Sequence, residues 1–173
     1  FITSLNSSLT AILQSTYLGG SGEDAVLSVT ANSGGNVYVA GFTLSTNFPG
    51  TTGGAQATSG GNYDAFVTRL NSTLTAILQS TYLGGSSGDI ARSIAIGPDE
   101  NVYVAGVTYS TNFPGTTGGA QPSSGGSADA FVTKLNSTLT TNLQSTYLGG
   151  SGTDYGRSIA IDPDENVYVA GDT

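Results

Sequence analysis

The sequence predicts an all-β chain of four-stranded antiparallel units: two full units flanked by two half units. Three observations predict it. First, the octapeptide Leu-Gln-Ser-Thr-Tyr-Leu-Gly-Gly stands at residues 13–20, 78–85 and 143–150, a spacing of 65 each time. Second, residues 1–65 and 66–130 agree at 44 of 65 positions, and residues 131–173 are a shorter third copy. Third, Val, Ile, Thr and Tyr recur in short alternating runs separated by Gly, Ser, Thr and Asn. Period-two alternation marks half-buried strands, and a long, exact period marks a propeller or a stacked array.

Taken in order within one unit, the first strand is residues 90–96. Simple alternation puts Arg92, Ile94 and Ile96 on one face and Ser93 and Ala95 on the other. The second is residues 101–108, where Val102 and Val104 alternate with Tyr103 and Ala105. The third is residues 64–70, with Phe66 and Leu70 on one face, and the fourth is residues 76–83. Gly97-Pro98-Asp99-Glu100 reads as a hairpin between the first two strands, and Asn71-Ser72-Thr73-Leu74 as the turn between the last two. Residues 109–128 form a long connection containing Asn112-Phe113-Pro114-Gly115. Loops of that length are functional or tied down by their own side chains, and Phe113 is the expected plug. Successive connections alternate ends, so the long loops (near Asn47 and Asn112) and the Gly-Gly-Ser turns share one face. The Pro-Asp-Glu hairpins and Asn-Ser-Thr turns share the other. By analogy with other propellers, the long-loop face is the expected binding face.

Four antiparallel strands per repeat describe a propeller blade. Residues 80–85 (STYLGG), 101–106 (NVYVAG), 112–114 (NFP) and 129–136 (DAFVTKLN) together resemble the bacterial SBBP β-propeller repeat family. The resemblance implies a propeller module of secreted or cell-surface prokaryotic proteins, with no catalytic residues to carry over. The Asn-Ser-Ser and Asn-Ser-Thr turns depart from the family's pattern. The expected division is residues 1–20 as the outer two strands of a blade, 21–85 and 86–150 as full blades, and 151–173 as the inner two strands of a blade. That is three blades' worth, whereas closed propellers use about 4–8. The expected partners are therefore flanking repeats of a longer chain or other copies of the same chain, which would complete the blades.

Composition excludes several classes. The net charge is −8, and Arg69, Arg92, Lys134 and Arg157 are the only Lys or Arg residues. Nucleic acid needs a basic face, and so does an anionic membrane surface. No apolar run approaches the roughly 20 residues of a membrane-spanning helix. Cys and His are absent, which removes disulfides, thiol chemistry and the commonest acid–base catalyst. No Ser stands in a nucleophile elbow, and no Lys follows Gly53-Gly54 or Gly60-Gly61 as a phosphate loop requires. An enzyme is not expected.

Four sets of residues remain as candidate sites. Asn6, Asn71 and Asn136 head Asn-X-Ser/Thr sequons on turns and are candidate glycosylation sites; Asn and Ser are also ordinary turn residues. Asp162, Asp164 and Asn166 place oxygens at every second position, as in a calcium loop, but the Gly and distal Glu of that motif are missing. A hairpin turn is the preferred reading, and no cofactor is expected apart from a weak case for calcium. Asp24, Asp89 and Asp154 follow the Gly-rich turns, with Arg92 and Arg157 three residues beyond the latter two. They are read as turn caps and carboxylate partners rather than a ring of ligands. Tyr17, Tyr82 and Tyr147 are read as packing residues rather than a sugar platform. The expected function is a non-catalytic extracellular module for structural, adhesive or assembly interactions, filaments included. A carbohydrate-binding propeller with glycan partners is the alternative.

Overall fold

The computed structural model describes residues 1–173. Twelve strands follow one another without a helix: β1 (Ile2–Leu5), β2 (Ile12–Thr16), β3 (Asp24–Ala31), β4 (Val37–Thr43), β5 (Asp64–Leu70), β6 (Ile77–Leu83), β7 (Asp89–Ile96), β8 (Val102–Thr108), β9 (Asp129–Leu135), β10 (Asn142–Leu148), β11 (Tyr155–Ile161) and β12 (Val167–Asp172). They form two four-stranded sheets, β3-β4-β5-β6 and β7-β8-β9-β10, between the pairs β1-β2 and β11-β12. Every strand pairs antiparallel with a chain neighbour, and two isolated parallel bridges, Tyr63↔Gly88 and Ala128↔Thr153, lie outside the strands. The sheets do not close into a ring, and β1 and β12 each have only one paired edge.

Alternation along each strand decides which sheet a side chain meets. Tyr38, Ala40, Ala65 and Val67 of the first full sheet pack with Val102, Val104, Phe131 and Tyr147 of the second in one buried cluster. Their sequence neighbours Val39 and Phe66 turn the other way. They pack with Leu70, Tyr82, Phe48 and with Ile2 of β1. The same division recurs 65 residues later, where Tyr103 and Ala105 meet Ile159 of β11. Each sheet is thus apolar on both faces, which is why its central strands read as almost unbroken buried runs.

One detail departs from simple alternation. A bulge interrupts each inner hairpin, between Val26 and Ser28, Ala91 and Ser93, and Gly156 and Ser158. An extra residue reverses facing beyond it. Ile94 packs back against the first full sheet, but the Arg92 guanidinium lies over the Tyr155 ring of β11, 5.5 Å from its centroid. Arg92 therefore does not share the face of Ile94 and Ile96.

Candidate functional site

The long loop is held down along its length. Phe48 is buried with its ring centroid 4.3 Å from that of Phe66, and Phe113 repeats this at 4.4 Å from Phe131. The Tyr82 hydroxyl accepts the Phe48 N–H at 3.0 Å and donates to the Ser45 carbonyl at 2.7 Å. Tyr147 does the same with Phe113 and Ser110, both at 2.9 Å. The loop then lies against the outer edge of β6: the Ser80 and Tyr82 N–H groups donate to the carbonyls of Gly50 and Gln56. The Gln79 amide donates to the Gly50 and Thr52 carbonyls. The loop therefore covers a strand edge that would otherwise pair with any passing chain.

Beneath this face the carboxylates form internal caps. Asp24, Asp89 and Asp154 each accept the N–H of the second Gly of the Gly-Gly turn, from Gly20, Gly85 and Gly150, at 2.8–2.9 Å. Asp24 and Asp89 also take a Ser hydroxyl, from Ser45 and Ser110, both at 3.0 Å. Thr43 donates a further short hydrogen bond to Asp24.

The sequence reading missed the partners of these residues, Asp64 and Asp129. Asp64 Oδ2 accepts the Ser59 hydroxyl and the Gly60 N–H, both at 2.7 Å, while its Oδ1 is buried without a partner. A Cβ on Gly84 would collide with Asp64 Oδ1 and lie 2.7 Å from Asp89 Oδ2, so two carboxylates flank this glycine. Asp129 and Asp154 flank Gly149 in the same way. The available signal was an Asp at the head of two third strands, 65 residues apart. Burial pushes the Asp89 carboxyl up to about 6, and the nearby Asp64 charge adds to this, against the hydrogen bonds from Thr108, Gly85 and Ser110. Neither Asp64 nor Asp89 lines a groove, whereas Asp154 of the repeated pair lines one together with Gly149, Tyr155 and Thr173.

The two arginines behave differently. Arg157 pairs with Asp172 at 2.5 Å. Arg92 has no carboxylate partner; it stacks on Tyr155, and its Nε is buried without an acceptor.

At the opposite end, Asn6, Asn71 and Asn136 each organise their own turn. The Oδ1 atom accepts two backbone N–H groups, and the Nδ2 group donates to Thr10, Thr75 or Thr140 at 2.9–3.0 Å. A glycan on Nδ2 would be attached to a group already engaged in this bond. In the last hairpin, Asp162 Oδ1 accepts the N–H groups of Asp164 and Asn166, and Oδ2 accepts the Asn166 amide and the Tyr168 hydroxyl. A calcium site needs about 6–8 oxygen ligands. Here both Asp162 oxygens accept donors of their own hairpin, the arrangement of a capped turn.

The middle hairpin carries Gly97 where the others have Asn32 and Asp162. The cap moves two residues on, to Asp99, which accepts from Asn101 and Tyr103 and pairs with Lys134 at 2.7 Å. Burial alone would raise the Asp99 carboxyl; Lys134 and Asn101 outweigh it and hold it down to about 2.

Two stretches, residues 80–114 and 145–173, match the family model of the SBBP beta-propeller repeat. These two stretches carry the SBBP β-propeller repeat. No curated protein matches the chain. Each matched stretch opens in the outer strand of one sheet and runs through the inner hairpin of the next, so it spans the junction where the Asp caps lie. Residues 15–49 occupy the same register one repeat earlier.

A groove of about 330 Å³ lies between β10 and β12, another of about 300 Å³ beside Asp154 and Tyr155, and a third of about 230 Å³ beside Leu70 and Leu74. Tyr103, Val132, Leu148, Val167 and Val169 supply the apolar wall of the first, with Lys134 among the polar lining. The corresponding position on the first full sheet is filled by Leu135, Leu139 and Tyr147 of the next sheet.

Proposed function

We propose that this chain is a non-catalytic, cell-surface or secreted propeller module whose work is structural, adhesive or assembly-forming contact. The observation that carries this reading is the distribution of its reactive and apolar groups. The recurring carboxylates, Tyr82, Tyr147 and the turn asparagines end in bonds within or between repeats. Apolar side chains stay exposed within the full repeats, at Leu44, Leu78, Tyr109 and Leu143. Such a distribution suits an interaction surface and not a pocket for chemistry. No cofactor enters this reading.

The octapeptide tyrosines do not support the sugar-binding alternative, because Tyr82 and Tyr147 are buried. The test is proteolysis of intact source cells, with antibody detection of the chain. Loss of the chain before any cytoplasmic marker is lost is the expected result. Protection until lysis would overturn the surface reading. A glycan array run alongside is expected to show no repeat-dependent signal.

A further inference from the structure

We propose that Arg92, with Tyr63, Tyr109 and Tyr155 around it, binds the carboxylate-bearing ring of a uronic-acid glycan. This rests on the reading of the chain as a surface module that makes adhesive contacts, and it names what one such contact takes. The argument begins with the four cations of the chain. Arg69 donates to the Ser137 carbonyl, Lys134 pairs with Asp99 at 2.7 Å, and Arg157 pairs with Asp172 at 2.5 Å. Arg92 has no oxygen partner: its guanidinium lies over the Tyr155 ring, and its Nε is buried without an acceptor. A shortage of acids does not explain this, since the chain has 12 Asp and Glu residues. An unused guanidinium is a planar fork of donors, shaped for a carboxylate.

The surrounding phenols are unused as well. The hydroxyls of Tyr38, Tyr82, Tyr103, Tyr147 and Tyr168 each donate to a carbonyl or a carboxylate; those of Tyr63, Tyr109 and Tyr155 do not. Tyr109 faces the same place as Arg92. The Tyr155 hydroxyl, then burial and Tyr63, raise its phenol above the usual range, and the Arg92 charge opposes the rise. No carboxylate takes part. The nearest acids in sequence, Asp89 and Asp154, are turned to the Gly85 and Gly150 N–H groups. The Tyr63 ring is steadied by the edge of Phe42, 6.2 Å between centroids.

The preceding junction shows that the fold does not require this cluster. There, 65 residues earlier, Leu27, Leu44 and Ile90 stand in place of Arg92, Tyr109 and Tyr155. The inner hairpins keep the same bulge and the same register. One junction is apolar and the next polar on the same backbone, so the polar set answers to something other than packing. Its chemistry selects the ligand. A uronate ring carries one carboxylate, hydroxyls around its edge and an apolar C–H face. Arg92 takes the carboxylate, the phenol hydroxyls take the ring hydroxyls, and the tyrosine rings offer an apolar face. Tyr109, 40% exposed, leaves the cluster open to solvent. The cluster occurs once, so it takes one ligand per chain and gives no dependence on repeat number.

The test is calorimetric titration of the chain with trigalacturonate. One ligand per chain is expected, and the methyl ester of the same sugar is expected to bind about tenfold more weakly or worse, because a charged hydrogen bond is lost. Arg92→Leu is expected to weaken trigalacturonate by about tenfold or more, and Tyr109→Leu by roughly threefold to tenfold. Both install the residue that the first junction already carries, so both are expected to keep the circular dichroism spectrum and melting midpoint of the chain. Leu78→Ser, on the outer strand, is expected to leave binding unchanged. Absence of binding, equal binding of the methyl ester, or full binding by Arg92→Leu would each overturn the proposal. Tighter binding of a glutamate-rich peptide or of inorganic phosphate would overturn it in favour of that anion. Surface location stands or falls separately, on the proteolysis experiment.

Discussion

A single hydroxyl shows how position within a repeat decides what a residue is worth. Tyr17, Tyr82 and Tyr147 are the same residue in the same octapeptide, but only the latter two bridge a long loop. Tyr147→Phe leaves the buried Phe113 N–H without its acceptor and is expected to cost about 1–3 kcal/mol. Tyr17→Phe is expected to change almost nothing, because that hydroxyl is in water. Chemical denaturation of the two variants in parallel checks the contrast. Asp89 gives a second expectation, with a definite sign. Its carboxyl ionises near 6 in the folded chain, above its ordinary value of 3.8. The protonated form is therefore favoured by folding: its stabilisation is full below about pH 4 and is lost as pH rises through about 6. The loss is on the order of 3 kcal/mol. Asp99 works in the opposite sense, since its lowered value makes its contribution present above about pH 4 and lost as pH falls toward 2. Asp89→Asn isolates the first effect, because it mimics the protonated carboxyl. Denaturation midpoints are expected to agree at pH 4 and diverge above pH 6, with the variant the more stable; parallel curves would show that Asp89 is ionised throughout.

Within the elements, the inner hairpin of each repeat depends on a close approach that alternation does not reveal. The bulges at Val26/Ser28, Ala91/Ser93 and Gly156/Ser158 stand opposite Gly41, Gly106 and Gly171. A Cβ on Gly106 would overlap the Ile90 carbonyl and lie 2.8 Å from the Phe131 ring. Gly106→Ala is thus expected to cost roughly 1–3 kcal/mol or to force the strand pair apart. Gly152→Ala, where a Cβ meets nothing within 4 Å, is expected to be neutral. Thermal unfolding of both variants distinguishes packing from a general loss of glycine. The strands themselves were legible from period two and the turns from Gly, Pro and Asn, so β5 falls on the expected residues 64–70. The plug role of Phe113 was legible too, because an aromatic beside Pro in a polar loop has few other uses. The facing of Arg92 was not, since a bulge leaves no mark on hydrophobic period. Nor was the carboxylate pair around Gly84, because Asp64 and Asp89 are joined only when adjacent sheets pack. The passage of the long loop along the edge of β6 runs through backbone groups, which carry no sequence signature, and through Gln79 and Thr81, whose partners are loop backbone groups about 25–29 residues away.

Across the whole molecule, protection from solvent falls from the middle toward both ends. Strand β8 is buried at every position, whereas most positions of β12 and β2 are exposed. In a repeat array, each unit is stabilised by its neighbours, so units with one neighbour open first. Amide exchange in dilute solution is therefore expected to be slowest in β4, β5, β8 and β9 and fastest in β2 and β12. Slow exchange in β2 or β12, as slow as in β8, would show instead that the stability of a unit does not depend on how many neighbours it packs against.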